Sequence, residues 1–561
     1  MSDLLNKASL VMIPSGYKED VVYSAVPSDG SGDLAFSRAS NGTRVNSAGL
    51  VEVCPWNLLR QSNTFSSSPW GNSGATLTSG QTDPNGGANA WKVELAAGSS
   101  YLYQPSILVT GVVTMSAYLR ADSTTTIGFN DGSAYPNSVT IGTTWQRYEF
   151  SFNVTSTNTA IQFDNYFGVS PATLAKTFYI YGAQLNIGST AKPYFPTTDR
   201  LNVPRLTYQN GGGGCPSLLL EKQSTNISNY NESSSAFNAA IVTSASDLLG
   251  MKSYNVEADY SSGDAPNVPC SDFIANTTYT SSMYIDFNSL TGTQFIVTML
   301  GFFPSVEFAT MTVNKSTKAI TSSTSGGGIW TINAAKIEHQ KDEIYRVILT
   351  ATPNTTGGGA RTYVDSGNFE SVNVAGIQVE ASSYATSVIL KTTSASATRV
   401  ADACFKTGIS SLIGQTEGVM FVDVIYNGSA NTGEFNRIIN ITDGSSSNFI
   451  SLSKNNSTDE LYVYCQTSAG VQVNSGAITG TSLIGRHKIA LAYKANDFVL
   501  YVDGIQKFVD TSASVPTCSR LNIGSLENFF SSTDQLGGSV SEAILFPTRL
   551  SNSELASLTT I

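Results

Sequence analysis

Side chains that act as acids, bases or nucleophiles are sparse in this 561-residue chain. It has two histidines, His339 and His487. His487 lies in an alternating run typical of a strand, which favours a structural role, and His339 lies in a polar stretch with no nucleophile pattern nearby. Ser-His-Asp and Cys-His catalysis therefore have no visible framework.

Glycoside hydrolysis needs only two carboxylates, so composition alone does not exclude it. A Glu-x-Asp-x-x-Glu strand motif begins at Glu257-Ala258-Asp259, but Tyr260-Ser261-Ser262 follows and the last carboxylate is missing. We expect that the chain is not an enzyme.

Aromatic residues offer binding chemistry instead, because a ring stacks on the apolar face of a sugar while neighbouring polar groups orient it. Tyr462-Val463-Tyr464 places two rings on one face of a strand. Core packing is the alternative for each residue. The candidate glycan-binding residues are Tyr101, Tyr103, Tyr135, Tyr426, Tyr462 and Tyr464.

Calcium is the metal that the sequence best accommodates, because oxygen ligands from Asp, Asn and loop carbonyls suffice for it. The candidates are Asp83 and Asn85 in Asp83-Pro84-Asn85-Gly86-Gly87, and Asp443 in Thr442-Asp443-Gly444-Ser445. An Asx turn is the alternative role for each. No cluster of His and Cys suggests zinc, and no other cofactor is indicated.

Composition excludes several classes of protein. Charged residues are 13% of the chain and the net charge is -11, without a Lys/Arg cluster, so nucleic-acid binding is not expected. No apolar run reaches the length of about 18 residues that a membrane span needs, so membrane insertion is not expected either. The first residues lack a secretory signal, which predicts synthesis in a cytoplasm. The six scattered cysteines should therefore be reduced and mostly buried.

Short alternating strands separated by Gly, Asn, Asp and Pro predict an all-β fold of tandem antiparallel β-sandwich (jelly-roll) domains. The chain also contains a duplication. Cys54-Pro55-Trp56-Asn57-Leu58-Leu59 returns as Cys215-Pro216-Ser217-Leu218-Leu219-Leu220, and later landmarks recur in the same order, including Arg147 with Arg346 and Gly182-Ala183-Gln184-Leu185 with Gly376-Ile377-Gln378-Val379. We therefore expect one module over 54–199 and a second, with its linkers, over 200–402.

The ends of the chain differ from these modules. Residues 1–53 have too few apolar side chains for a core of their own, and we expect an arm that attaches to neighbouring chains, the alternative being an arm folded back on its own chain. Residues 403–561 form a third domain. In it, Asp503-Gly504 predicts a type I′ hairpin, and Ser551-Asn552-Ser553-Glu554 predicts a short capped helix.

The order Arg486-His487-Lys488-Ile489-Ala490-Leu491-Ala492-Tyr493, Leu500-Tyr501-Val502-Asp503-Gly504 and Gly538-Ser539-Val540-Ser541-Glu542-Ala543-Ile544-Leu545-Phe546 resembles a laminin-G/concanavalin-A-like lectin domain. The two earlier copies resemble the carbohydrate-binding-module-like jelly rolls of bacteriophage virion proteins, through Asp83-Pro84-Asn85-Gly86 and the Gly-x-Gln closing strand. The opening Ala8-Ser9-Leu10-Val11-Met12-Ile13-Pro14 is similar to the starts of phage head and tail fibres.

The resemblance implies a bacteriophage head or tail fibre on the virion surface, made in the bacterial host cytoplasm. It also implies a homotrimer, capsid or tail proteins as partners of the arm, and adhesion to host cell-surface glycan. A structural spacer or capsid decoration is the first alternative. A surface polysaccharide depolymerase and a secreted adhesin are the others.

Overall fold

A computed structural model describes residues 2–561 except 110, 132–136, 156–158, 166–173, 210, 233–236, 239, 260–264, 303–305, 327, 366–369, 429–434, 456 and 526–534. Nearly all regular structure is antiparallel strand, which confirms the expected all-β sandwich class. The helices of the described chain are Ser2–Leu5 and Asn552–Thr559. Neither they nor any other described segment forms a helix long and apolar enough to cross a membrane.

Residues Val53–Leu201 form one compact unit, close to the module expected over 54–199. Two five-stranded sheets enclose its core. In spatial order, the first consists of Ser138–Ile141, Thr125–Asn130, Thr159–Asp164, Tyr101–Ile107 and Gly71–Ser73. The second consists of Gln146–Val154, Gly111–Arg120, Lys176–Ile187, Ala90–Leu95 and Ala75–Gln81. Alternate residues of each strand face the core, as in Leu102 and Phe163.

A second compact unit comprises Met1–Glu52 and Asn202–Ile561, and it contains two sandwiches. The second jelly-roll module has a six-stranded sheet of Ala240–Leu248, Met251–Ala258, Ser371–Glu380, Tyr279–Asp286, Ile344–Pro353 and Trp330–Lys341. Its five-stranded sheet consists of Asn267–Pro269, Gly358–Asp365, Gln294–Phe302, Val306–Asn314 and Ile320–Ser325. Ser224–Asn226 pairs with Ala397–Arg399 at its entry and exit.

The other sandwich, here called the host sandwich, draws strands from three parts of the chain. Its eight-stranded sheet contains Leu206–Thr207, Ser217–Leu220, Gly538–Phe546, Glu417–Tyr426, Gly485–Lys494, Phe498–Val502 and Ile505–Asp510, with Leu10–Met12 paired to Gly538–Phe546. Its nine-stranded sheet contains Tyr17–Lys18, Val21–Val22, Leu34–Ser37, Ala403–Thr407, Arg520–Ile523, Arg437–Thr442, Phe449–Lys454, Leu461–Thr467 and Gly470–Asn474. A separate pair joins Gly42–Val45 and Val51–Cys54.

This arrangement changes two boundaries expected from the sequence. The segment 1–52 is not an arm free to reach neighbouring chains, because Leu10, Met12, Leu34 and Phe36 are buried in the core of the host sandwich. The host sandwich also extends beyond 403–561, since it uses strands before and after the first module. The two jelly-roll modules are therefore inserted into the host sandwich.

The two modules share a set of hydrogen bonds, as expected for a duplication. At the start of the modules, however, the equivalent residues are not those matched through the two Cys-Pro motifs. In the first module, Asn57 donates to the carbonyls of Ala183 and Phe195 and accepts from the N–H groups of Leu59 and Leu185. Asn226 makes the same four bonds in the second module, with the carbonyls of Ile377 and Ile389 and the N–H groups of Ser228 and Val379. The structural partner of Asn57 is therefore Asn226.

The Cys-Pro motifs are consequently not equivalent. Ser217–Leu220, which follows Cys215-Pro216, pairs with Gly538–Phe546 in the host sandwich and does not open the second module. The run Leu218-Leu219-Leu220 resembles Leu58-Leu59 because both runs are buried in a sandwich core. Sequence similarity does not show that the first is in the core of the host sandwich and the second in the core of the first module.

Both local predictions in the carboxyl-terminal region are confirmed. Asp503 and Gly504 have φ of 51° and 81°, as a type I′ turn requires, between the strands Phe498–Val502 and Ile505–Asp510. Ser551 caps the last helix in a capping box with Glu554.

A buried ionic cluster joins the exit of the second module to the host sandwich. Asp402 binds Arg38 at 2.9 Å and Arg205 at 2.5 Å. Glu221 binds Arg205 at 2.8 Å and Arg399 at 3.1 Å, and it accepts from the hydroxyl of Ser387. All five charged side chains are at least nine-tenths buried, so each charge depends on its partners for stabilisation.

Candidate functional site

Two tyrosines lie side by side on the outward face of the first sheet of the first module. Tyr101 and Tyr103 alternate with the core residue Leu102 along one strand, and both rings are half-buried. Their ring centroids are 5.4 Å apart with an interplanar angle of 68°. Tyr103 lies against Gly71 on the edge strand, where a Cβ atom would come within 2.7 Å of the ring.

Polar side chains continue this face across the sheet. Tyr101 pairs with Asp164 and Tyr103 with Gln162, and Gln162 in turn pairs with Asn130 on the next strand. Because directly paired residues share a sheet face, all five side chains lie on the face that carries the two tyrosines. We call these five residues the tyrosine face.

The polar members of the tyrosine face form a buried cluster around one carboxylate oxygen. Asn130 donates to Oδ2 of Asp164 at 2.6 Å, and Gln162 donates to the same atom at 2.8 Å. Asn130 and Asp164 are fully buried. These bonds fix the orientation of the cluster and so hold the two strands in register beneath the two rings, while the cluster itself is closed to solvent. The two half-buried rings offer aromatic area on which a sugar ring can stack.

Sequence reasoning identified the rings of this face but not its polar cluster. The signal was available in Ile161-Gln162-Phe163-Asp164, where polar and core residues alternate as they do around Tyr101 and Tyr103. Cross-strand pairing brings the two segments together, and pairing is not readable from either segment alone. Tyr135, the remaining candidate of the first module, lies outside the described residues.

The candidate Tyr426 is corrected by the structure. Its side chain is 1% exposed, it belongs to the core of the host sandwich, and its hydroxyl bonds to Asn436 at 3.0 Å. The strand Glu417–Tyr426 is covered on both faces, so the ring has no solvated face on which a sugar could stack, and the core-packing alternative holds for it.

Tyr462 and Tyr464 do share one outward strand face, but Tyr462 is buried, and Tyr464 is half-buried in a row of packed rings. Tyr462 lies between Phe435 at 5.2 Å and Tyr464 at 5.9 Å. Tyr464 in turn lies 5.6 Å from Phe449, nearly parallel to it. Their hydroxyls bond to Asn474 and Gln466. Each ring in this row packs against its neighbour, and we therefore assign the row to packing.

Asp83 holds a loop, as the Asx-turn alternative predicts. One carboxylate oxygen accepts from the N–H groups of Asn85 and Gly87, and the other accepts from the N–H and side-chain amide of Asn89. Burial raises the pKa of Asp83, but these donors outweigh it and bring the pKa below its usual value. Both oxygens are therefore already occupied by four donors, which leaves calcium little to bind.

Asp443 has the same kind of role in the turn between two strands of the nine-stranded sheet. Its carboxylate accepts from the N–H of Ser445 at 2.7 Å and from the amide of Asn448 at 2.8 Å. Burial opposes these bonds, yet the pKa of Asp443 lies below its usual value. Within the described ranges no group of three His, Cys, Asp or Glu side chains is arranged to hold a metal ion.

Each histidine contacts a nearby backbone carbonyl, and His487 also contacts the carboxylate of Asp503. In His487, Nδ1 lies 2.7 Å from Asp503 and Nε2 lies 3.2 Å from the carbonyl of Ile484. In His339, Nε2 lies 2.8 Å from the carbonyl of Asp342. Neither contact presents a nucleophile to the ring.

No protein-family model and no curated protein matches the chain. Among solved structures, the CBM40 domain of the Ruminococcus gnavus IT-sialidase is similar at 13% identity, over 27% of this chain and 91% of that domain, with a TM-score of 0.23. The CBM22 tandem domain of Paenibacillus barcinonensis Xyn10C is similar at 11% identity, over 58% and 96%, with a TM-score of 0.20. Domains LG4-5 of the mouse laminin alpha1 chain are similar at 11% identity, over 57% and 86%, with a TM-score of 0.18. Such weak likeness carries no argument about ligand or reaction.

Proposed function

We propose that the chain is a glycan-binding adhesion protein without catalytic activity, and that its first jelly-roll module takes a saccharide on the tyrosine face. The observation that carries this function is the position of Tyr101 and Tyr103, two half-buried rings on the same sheet face as the fixed cluster of Asn130, Gln162 and Asp164. The rings supply stacking area for a sugar, and the buried cluster holds the sheet face on which the rings stand.

A glycan array probed with the full chain tests this function, followed by titration of the best ligand. Tyr101→Ala and Tyr103→Ala should each weaken binding at least about 5-fold, since stacking and ring burial together contribute about 1–3 kcal/mol. Trp145→Ala is the matched control, because Trp145 is a half-buried ring immediately before the strand Gln146–Val154 of the other sheet, with Arg120 5.5 Å from its centroid. Unchanged affinity in both tyrosine variants would reject the tyrosine face.

The surface polysaccharide depolymerase is the rival to a binding role. Prolonged incubation of the full chain with its glycan should release no reducing ends. If reducing ends are released by Tyr101→Ala as well, and release is lost when a carboxylate side chain of the protein is replaced, the chain is an enzyme instead.

We further propose the setting implied by the sequence resemblance, a homotrimeric bacteriophage head or tail fibre on the virion surface that contacts capsid or tail proteins. Its support is the similarity of Ala8–Pro14 to fibre starts. Because Leu10–Met12 is a strand of the host sandwich, the chain would attach to the virion through a surface of its folded domains and not through a free amino-terminal arm. Immunogold labelling of particles with antibody against residues 403–561 tests this setting. Label on the head or the tail supports it and locates the fibre, and unlabelled particles reject it.

A further inference from the structure

A cavity of about 530 Å³ lies in the larger compact unit, apart from the tyrosine face. Its walls come from the six-stranded sheet of the second module, the loop 383–388, the segment 43–51 and residues 537–538 of the host sandwich. The volume falls in the range of about 300–1,000 Å³ that is usual for small-molecule sites. The cavity exists only when the inserted module and its host are assembled.

Two hydroxyl groups in the wall have no hydrogen-bond partner among the described residues. Tyr384 is 5% exposed, and its Oη is buried without a partner. The Oγ of Ser383, beside it, is also buried without a partner. A buried polar group left unsatisfied costs about 1–3 kcal/mol, so a ligand in this cavity that bonded to both hydroxyls would recover that free energy.

The duplication provides an internal comparison for this position. Arg346 donates to the hydroxyl of Ser282 and to the carbonyl of Thr386, and Arg147 in the first module donates likewise to Ser116 and to the carbonyl of Lys192. Thr386 and Lys192 are therefore equivalent. Two residues earlier, the counterpart of Tyr384 is Thr190. The buried phenol is thus particular to the module that forms the cavity, and the module fold does not require it.

The charges on the wall leave a positive balance. Arg44 is neutralised by Glu52 at 2.8 Å, and Glu221 is neutralised inside the ionic cluster by Arg205 and Arg399. The remaining charged groups are Arg346, Lys336 and Glu338, that is, two positive charges and one negative charge, and Glu338 is opposite Arg346 in the strand register. Lys336 is half-buried and makes no ion pair or hydrogen bond to the described residues. One positive charge is therefore uncompensated.

We propose that this cavity binds a monoanionic sugar acid, that is, a saccharide unit with one carboxylate. Lys336 faces the carboxylate, and Tyr384 and Ser383 donate their hydroxyl hydrogens to the ligand. This ligand would satisfy both orphan hydroxyls and the unpaired ammonium at once. A neutral sugar would leave the ammonium unpaired.

Titration of the full chain with D-glucuronate, with D-glucose as the neutral counterpart, tests the proposal by calorimetry. Saturable binding of glucuronate that is at least 10-fold tighter than that of glucose is expected. Lys336→Gln should abolish this preference, whereas Lys18→Gln, on an exposed lysine of the same unit outside the cavity, should not. No binding of glucuronate, or equal binding of both sugars, overturns the proposal.

Tyr384→Phe separates a ligand role from a structural one. Because the phenol has no partner, its removal should leave the melting temperature unchanged or higher, while the affinity for glucuronate falls at least 10-fold. Ser383→Ala repeats the test if Tyr384→Phe does not fold. Unchanged affinity in these variants overturns the proposal. Glucuronate binding that is lost in Tyr101→Ala and kept in Lys336→Gln also overturns it, and would assign the ligand to the tyrosine face.

Discussion

Asn57 and Asn226 occupy the same position in the two jelly-roll modules, each bridging the module's entry to its closing strand with four hydrogen bonds. Both side chains are at most 1% exposed. In each module one bonded backbone group is two residues from the asparagine, and the other three are 126 to 163 residues further along the chain. The asparagine therefore holds the entry segment of each module against its closing strand.

Asn57→Ala and Asn226→Ala should each destabilise the module that contains the substitution. We expect a loss of about 2–4 kcal/mol in the free energy of unfolding, because buried N–H and carbonyl groups lose their partner. Urea unfolding followed by tryptophan fluorescence and circular dichroism measures it. Asn153→Ala, at an exposed position of the first module, is the control and should change little. A loss below 1 kcal/mol in both variants would contradict this role of the asparagine.

Asp402→Ala should destabilise the larger compact unit by about 3–5 kcal/mol. The substitution removes the carboxylate that binds Arg38 and Arg205 and leaves both guanidinium groups buried with one partner fewer. Thermal unfolding measures the effect. Asp510→Ala, which removes a carboxylate from the end of a half-exposed strand, should cost less than about 1 kcal/mol.

Glu232→Gln should stabilise the protein at pH 8 and have no effect at pH 4. Burial, with a contribution from Asp247, raises the pKa of Glu232 to about 7, although the N–H of Lys252 donates to the carboxylate. Because the pKa of Glu232 is higher in the folded than in the unfolded state, its contribution to the free energy of unfolding is complete below the unfolded-state pKa of 4.5. That contribution is lost as the pH rises through about 7. Glutamine lacks this titration. Melting curves at pH 4 and pH 8 measure it, and an equal gain at both would contradict the assignment.

One thiol of the native chain should react quickly with Ellman's reagent. All six cysteines are free, and Cys215 is the exposed one. Burial raises the pKa of Cys465 to about 12 and raises that of Cys518 and Cys270 further, so the thiolate they need for reaction is scarce. Cys215→Ser should remove the fast phase, and denaturant should release six thiols from the unchanged chain. Two or more fast thiols would show that the sandwiches open.

A fragment of residues 53–201 should fold alone, and a fragment of 403–561 should not. The first is a compact unit with both sheets and its own core. The second lacks Leu10–Met12, Leu34–Ser37 and Ser217–Leu220, whose side chains fill the core of the host sandwich. Circular dichroism and cooperative thermal unfolding distinguish the outcomes. Cooperative unfolding of the 403–561 fragment would show that the added strands are dispensable.

Local patterns in the sequence predicted local structure well. The Asp503-Gly504 hairpin, the capped helix after Ser551 and the all-β class follow from turn chemistry and strand alternation, which operate over a few residues. The partners of a strand do not follow from such patterns. Nothing in Leu10-Val11-Met12 specifies pairing with Ala543-Ile544-Leu545, because any apolar strand satisfies the same edge.

The candidate site was predictable to the same limited degree. Tyr101 and Tyr103 were identified because their spacing alone puts two rings on one face. Their polar neighbours Gln162 and Asp164 required the register between two strands, and Tyr426 was misassigned because its strand has no solvated face. The cavity beside Tyr384 was not predictable, since it forms between segments that only the assembled unit brings together.

The strand Gly538–Phe546 pairs with Leu10–Met12, Ser217–Leu220 and Glu417–Tyr426. A ribosome that adds about 5–20 residues per second would complete this strand about half a minute to two minutes after it has made Leu10. During translation the first module can close while the apolar strands on either side of it wait unpaired. Such waiting strands are prone to aggregation. The yield of native protein should therefore depend on chaperone supply and on slow growth at low temperature more than on the stability of the finished fold.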